Sequence, residues 1–163
     1  MAKTYLVTPA VRFQNAMFAF LVRLGINTVG GVSLLTVRGR KSGKPIVTPL
    51  AIFVQQGKRY LITPYGEVNW VLNLRAAGGD ATLTRSRRTE KIHAIELPPA
   101  AAALVFKEAV RTGPPGMPAR FVQSYNENTL SQYLNIPVNA SLEEYEREVL
   151  THPIFLLEHV GWS

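Results

Sequence analysis

Two periodicities alternate along the chain. Between residues 8 and 24, Phe13, Met17, Phe20, Leu21 and Leu24 recur at helical spacing, with Phe18 and Val22 widening the stripe. Thr8 suits the N-cap, Pro9 the first turn, and Gly25 the stop. This pattern predicts a helix packed on the core by its apolar stripe. Arg12 and Arg23 on the polar face admit a second reading, a membrane-surface anchor. From Val32 the period shortens. Val32–Val37, Ile46–Val54, Arg59–Thr63, Ala81–Arg85, Glu90–Leu97 and Ile154–Val160 read as strands, separated by turn residues such as Gln55-Gln56-Gly57-Lys58, Pro64-Tyr65-Gly66 and Ser86-Arg87-Arg88-Thr89. Ala81 and Leu83 alternate with Thr82 and Thr84, as on a half-buried strand.

Three further helices punctuate the strands. Val68–Ala77 stops at Gly78-Gly79, and Ala100–Arg111 is opened by Pro98-Pro99 and closed by Gly113-Pro114-Pro115-Gly116. A third runs to about Thr151 from a capping box of Ser141 and Glu144. Residues 112–140 carry no firm pattern, and a substrate-facing lid and a plain connector are both open. Short strands with close turns, flanked by helices, predict an α+β fold in which a barrel is wrapped by helices. The length of 163 residues suits one domain, with residues 1–30 as an N-terminal helical segment and 31–163 as the barrel and its helices.

Composition narrows the chemistry. The chain has no cysteine, which excludes disulfides, thiolate metal sites and cysteine nucleophiles. His93, His152 and His159 lack metal-ligand spacing, no G-x-S-x-G elbow is present, and no metal site is expected. A net charge of +7 suits an anionic partner. It is concentrated in two clusters, Arg38, Arg40, Lys41 and Lys44, then Arg85, Arg87, Arg88 and Lys91. Aromatic residues do not interleave with these clusters, so no nucleic-acid partner is expected. The apolar run Ala16–Val22 is far shorter than the roughly 20 residues that span a bilayer, and no secretory signal is evident. A cytoplasmic location is the expectation.

The loop Arg38-Gly39-Arg40-Lys41-Ser42-Gly43-Lys44 is the strongest chemical signal. Its glycines permit outward-pointing amides, a concavity in which Arg40, Lys41 and Ser42 add charge-assisted donors for a phosphate. An ordinary solvated hairpin is the plainer reading. Only three residues separate Gly39 from Gly43 and a strand follows, so it is not a nucleotide-triphosphate loop. Pro49 interrupts the second strand, which belongs at an edge or bulge and opens backbone to a planar ligand. Trp70 and Asn73, three apart, share one face of the short helix, Trp70 packing on core or ligand.

The run Leu34 to Leu50, LLTVRGRKSGKPIVTPL, resembles the signature of the deazaflavin-dependent nitroreductase family. The stretch Asn69 to Ala76, NWVLNLRA, resembles that family's W-x-x-N-L-[RK]-A block, and His152-Pro153-Ile154-Phe155 also fits. The resemblance implies a split β-barrel that binds coenzyme F-420, an 8-hydroxy-5-deazaflavin with a phospholactyl-oligoglutamate tail. It implies that Arg40, Lys41, Ser42 and Gly43 hold the tail phosphate. Ile46, Val47, Thr48, Pro49 and Leu50 would flank the ring, bordered by Thr63, Pro64 and Tyr65, with Trp70 and Asn73 from the short helix. Some relatives carry a basic residue at Ile46 and a longer glycine-lysine loop at Tyr65-Gly66-Glu67, so tail contacts differ here. The implied activity is an oxidoreductase passing hydride to a small electron-poor acceptor, an enone, quinone or nitro compound. Tyr65, Tyr125 and Tyr133 are the candidate proton donors. An FMN protein of the same fold and a non-catalytic lipid or coenzyme carrier are the alternatives, and monomer and homodimer are both open.

Overall fold

The computed structural model describes residues 2–24 and 31–163; of Phe18 and Val22 only the backbone is described. Gly25, the expected end of the first helix, lies outside the described residues. Helix α1 (Pro9–Arg23) precedes strands β1 (Val32–Arg38), β2 (Pro45–Ala51), β3 (Phe53–Gln55) and β4 (Lys58–Ile62). Helix α2 (Asn69–Ala76) leads into β5 (Asp80–Arg85) and β6 (Arg88–Glu96). Helices α3 (Pro99–Thr112) and α4 (Ala119–Asn128), a 3-10 turn at Leu130–Gln132, α5 (Leu142–Glu148) and β7 (Ile154–Trp162) complete the order. The fold is α+β, as expected.

All seven strands form one antiparallel sheet in the order β2-β1-β5-β6-β7-β4-β3. The two outermost strands are consecutive in the chain, with Ile52 alone between them. Opposite edges of the sheet therefore meet at one residue, and the sheet must curl into a barrel split along that seam. The single strand expected over Ile46–Val54 is thus two strands. Ala51 pairs with Val32 of β1, whereas Phe53 pairs with Tyr60 of β4. A change of partner leaves no trace in an apolar run.

The β5–β6 hairpin closes with the two residues Ser86 and Arg87, both left-handed at φ of +48° and +65°. That hand matches the strand twist, so the expected four-residue turn tightens to two. Inside the barrel Leu35, Leu61, Leu83, Ile92 and Phe155 pack with Val71 and Leu74, both fully buried, so α2 plugs the barrel. A second core packs Phe106 of α3 on Tyr145 of α5, on Val149 just after it and on Ile154 of β7. The Tyr145 hydroxyl donates to the Val138 carbonyl at 2.8 Å, and burial pushes its pKa up to about 12. The capping box of Ser141 and Glu144 opens α5 as expected.

Helix α1 is capped by Thr8, whose hydroxyl accepts from the Val11 amide at 3.3 Å. Its packing is the reverse of the expectation. Phe13, Met17 and Phe20 are 73%, 47% and 58% exposed, while Asn15, Ala19 and Leu21 are half-buried. The apolar stripe faces outward, and the face bearing Arg12, Asn15 and Arg23 turns toward β2.

Two buried polar groups hold separate parts together. Asn73 on α2 is 2% exposed, and its Oδ1 accepts from the Arg40 amide at 3.2 Å and from Arg40 Nη1 at 2.8 Å. The β1–β2 hairpin is thereby tied to the barrel plug. Truncation of Asn73 to alanine leaves a peptide amide and a guanidinium without their acceptor, and costs about 1–3 kcal/mol in urea unfolding. Arg40→Ala costs less, because the Arg40 amide keeps its bond to Asn73. Equal effects from the two variants would contradict this clamp.

His152 is 3% exposed beneath the Tyr65–Gly66 turn, with Nδ1 3.4 Å from the buried Glu148 carboxylate and its ring stacked on Phe106. Burial holds its pKa below the ordinary value of 6.5, against the opposing pull of Glu148. The unfolded imidazole therefore takes up its proton at higher pH than the folded one. This stabilising contribution is complete above about pH 6.5 and is lost as pH falls through and below that value. Unfolding midpoints measured on either side of that value show the loss, and His152→Gln flattens it.

Candidate functional site

Among the described residues the outer edge of β2 carries no strand partner, and a cleft of about 770 Å³ runs along it. Pro49 sits in this edge strand, paired with Leu34 of β1, where its missing N–H costs no ladder bond on the free side. Ile46, Val47, Thr48, Pro49, Leu50 and Ala51 form one wall. Thr63, Pro64, Tyr65 and Gly66 from the end of β4 form the floor, joined by Val68, Asn69 and Trp70 at the start of α2. Phe106, Ala109 and Val110 of α3 and Tyr125, Asn126 and Leu130 form the opposite wall. Val7 and the inner face of α1 close the top, and Tyr5 reaches down to Tyr65. The size and apolar lining suit a drug-sized planar molecule.

Most of the residues expected around a ring come together here. Ile46 to Leu50, Thr63, Pro64, Tyr65 and Trp70 all line the cleft, and Trp70 also packs on Phe155 with ring centroids 6.0 Å apart. Thr63 is buried, its hydroxyl donating to the Pro153 carbonyl at 2.8 Å. Tyr125, from the stretch left open between lid and connector, faces the cleft from α4.

The residues expected around a phosphate, Arg40, Lys41, Ser42 and Gly43, do not line the cleft, and neither does Asn73, expected beside the ring. Asn73 holds Arg40, and Asn69 accepts from Arg40 Nη2 at 3.3 Å. The amides of Gly39, Arg40, Gly43 and Lys44 are satisfied within the protein, by the Lys44 carbonyl, Asn73 Oδ1, the Gly39 carbonyl and Ser42 Oγ. The outward-facing ring of amides expected from the glycines is therefore largely closed. Register places this loop just beyond Ile46, at one end of the cleft wall.

Four tyrosines gather at the floor. Tyr65 and Tyr125 share a hydroxyl–hydroxyl hydrogen bond of 3.1 Å, Tyr5 stacks on Tyr65 at 5.2 Å, and Tyr133 meets Tyr65 edge-on at 4.8 Å. Tyr133 thus supports Tyr65 without itself lining the cleft. Burial, then the bond to Tyr65, pushes the Tyr125 phenol well above the ordinary range. Burial likewise raises Tyr5.

Sequence reasoning missed two contributions. Asn126 is 7% exposed; its Nδ2 donates to the Val110 carbonyl at 2.8 Å, and its Oδ1 has no partner. A signal existed: Asn126 follows the buried Val122 by four, which places an amide on the buried face of α4. The other contribution is the inner face of α1. Arg12, Ala16, Ala19 and Arg23 recur at spacings of four, three and four, a stripe as regular as the apolar one beside it. Among the described residues no cluster of histidine and carboxylate side chains could hold a metal, and no helix is long and apolar enough to cross a membrane.

The cleft fits an uncharged tricyclic ring with an anionic appendage. It is apolar, no carboxylate lines it, two arginines do, and a buried acceptor lacks a donor. Residues 11–139 match the profile of a family described as F420H(2)-dependent quinone reductase. No protein of curated function matches the chain. Among solved structures, an F420-H2 dependent reductase, FDR-A, is 20% identical with a TM-score of 0.47, over 78% of this chain and 94% of that one. A protein described as a domain-swapped dimer is 17% identical with a TM-score of 0.49, over 93% and 100%. The riboflavin-phosphate alternative finds no support in the family match. The profile spans well over half of the sequence, and on that ground the chain belongs to the F420H(2)-dependent quinone reductase family, oxidoreductases that work with the deazaflavin coenzyme F-420.

Proposed function

We propose that this chain reduces a quinone-type acceptor in the cleft along β2, with enones and nitro compounds as acceptors of the same electron-poor class. The observation that carries the reading is the cleft itself, ring-sized, free of carboxylates and walled by the proline-bearing edge strand. When bound, the reduced coenzyme supplies hydride. Ile46, Val47, Thr48, Pro49 and Leu50 would flank its ring, with Thr63, Pro64 and Trp70 fixing the plane from below. Asn126 Oδ1 would accept an N–H or O–H from whatever lies against α4.

Hydride addition to a quinone leaves an anion that needs one proton. Tyr125 is the group we place there. Its phenol is protonated at neutral pH, and its place in the cleft wall lets the hydroxyl donate to the developing oxyanion. Tyr65, at 3.1 Å, connects Tyr125 to the turn region and relays the replacement proton, while Tyr133 and Tyr5 fix the Tyr65 ring. The hairpin beyond Ile46 would meet a tail leaving the cleft, Lys41, Ser42 and Gly43 contacting its phosphate. Arg40 and Asn73 would hold that hairpin in place.

A second element of the reading concerns acceptor delivery. Leu6, Phe13, Met17, Phe20 and Leu24 present apolar surface to solvent on the segment that closes the cleft. Quinones with apolar tails reside in bilayers, and we propose that this face rests on an anionic membrane surface. Co-sedimentation with anionic vesicles, lost in Phe13→Ser/Phe20→Ser, is the expected result; the carrier alternative would show binding without turnover.

Titration with oxidised coenzyme is expected to quench its fluorescence at micromolar protein, and absence of a quench would overturn the proposal. With a quinone as acceptor, Tyr125→Phe lowers kcat by about 100-fold, well beyond any change in the coenzyme Kd. Tyr65→Phe has a smaller effect, because solvent can replenish Tyr125.

A further inference from the structure

We infer that α1 supplies a second anionic-recognition surface, in which Arg12 and Arg23 each offer a cation to phosphate or carboxylate groups of a molecule bound in the cleft. The inference rests on the reading of that cleft as the coenzyme and acceptor site. Among the described residues lining it, Arg12 and Arg23 are the only charged side chains, with no acidic residue to neutralise them.

Several other arginines of the fold are already engaged, and those without a partner among the described residues, such as Arg38, Arg85 and Arg88, do not line the cleft. Arg59 is held by Glu90, Arg75 by Glu67 and Glu96, and Arg111 by Glu108. Arg40 is clamped by Asn73, and Arg87 donates to the Leu24 carbonyl at 2.8 Å. Among the described residues, neither Arg12 nor Arg23 has a side-chain hydrogen bond or ion pair. Two cations on a cleft wall with no lining carboxylate favour an anionic occupant. A guanidinium suits the oxygens of a carboxylate or phosphate, which it meets bidentately.

Helix geometry makes the pair a unit. Arg12 and Arg23 are eleven positions apart, so they share a face about 16 Å apart along the axis. Asn15, Ala16 and Ala19, all short side chains, stand between them on that face, which lets the helix lie close to β2. The apolar stripe is turned to solvent at the same time. An amphipathic helix that presents its cationic side to a cleft, and its apolar side away from it, is oriented by what the cleft holds.

The site is separate from the hairpin loop. That loop lies beyond Ile46, whereas Arg87 holds the end of α1 at the β5–β6 turn, beyond the Ala51 end of β2. Arg23 and the hairpin cations therefore stand at opposite ends of the same strand. The anionic group could come from the acidic tail of the coenzyme or from the acceptor, and the two sources are separable.

The test uses the full chain with Arg12→Gln, Arg23→Gln, the double variant and the paired lysine variant. Kd is read for the complete coenzyme and for its tail-less chromophore, and KM for a neutral quinone and for a carboxylate-bearing one. The double variant is expected to weaken the complete coenzyme at least about 10-fold while sparing the tail-less chromophore, if the tail is the source. It is expected to raise KM by a similar factor for the carboxylate-bearing quinone alone, if the acceptor is the source. The lysine pair recovers part of either loss, and added salt diminishes the difference. Unchanged Kd and KM for all four ligands would overturn the inference, as would equal loss for charged and neutral ligands, which marks a merely structural role. Failure of the wild-type chain to bind either form of the coenzyme would overturn the functional reading and this inference with it. Unaltered wild-type binding with insensitive variants sinks the inference alone.

Discussion

The cleft depends on one strand edge being left unpaired. β2 pairs with β1 through seven positions, from Arg38↔Pro45 to Val32↔Ala51, and among the described residues no strand pairs with its other side. An open edge of this kind invites pairing with another strand, and natural sheets guard it with proline, charge or cover. Here Pro49 removes a donor at the centre of the edge, and α1 with the N-terminal segment covers the rest. Ile52 enforces the arrangement, because the chain must leave β2 within one residue to begin β3 at the far edge of the sheet. The seam that closes the barrel and the slot that receives a planar molecule are consequences of the same turn in the chain.

Polar groups around the slot divide into those that are engaged and those that wait for a partner. Asn73, buried in the barrel plug, looks from its position in the sequence block like a ligand contact, yet its oxygen is occupied by Arg40. It shapes the hairpin that borders the slot. Asn126, in a helix with little to recommend it in sequence, has the free oxygen. Among the tyrosines, burial and the bond to Tyr65 push the Tyr125 phenol's pKa up, while Tyr133 and Tyr5 pack on the ring of Tyr65. In the proposed reaction, proton supply and ring placement fall to different residues of one cluster.

Much of this was legible in the residues before any coordinates. Elements with local determinants came through: the capping box at Ser141 and Glu144, the Gly78-Gly79 stop, and the strands whose composition matches a half-buried ladder. Pro49 announced an edge strand because proline has one physical meaning there. What failed shared a cause, dependence on partners distant in sequence. The break at Ile52 is a change of partner, invisible in an apolar run. The glycine loop has the composition of an anion nest, but the acceptors that close its amides are Asn73, thirty-three positions away from Arg40, and the loop's own carbonyls and Ser42. The apolar stripe of α1 followed the right period and yet packs the wrong way round, since periodicity identifies a face without saying what it will meet.

That inversion constrains what α1 is for. Leaving Phe13, Met17 and Phe20 exposed forgoes burial worth about 1.5–3 kcal/mol for each large side chain, a loss that core packing would have avoided. Two compensations are available on the two faces. A lipid surface can take the apolar stripe, and an anionic ligand can take Arg12 and Arg23. The faces are rigidly coupled through one helix of fifteen residues, so whatever seats one face orients the other. A helix lifted from the protein would lose the cations from the cleft and uncover β2 together. The orientation of α1 therefore couples access to the slot with occupancy of the slot, and neither the stripe nor the arginines alone would produce that coupling.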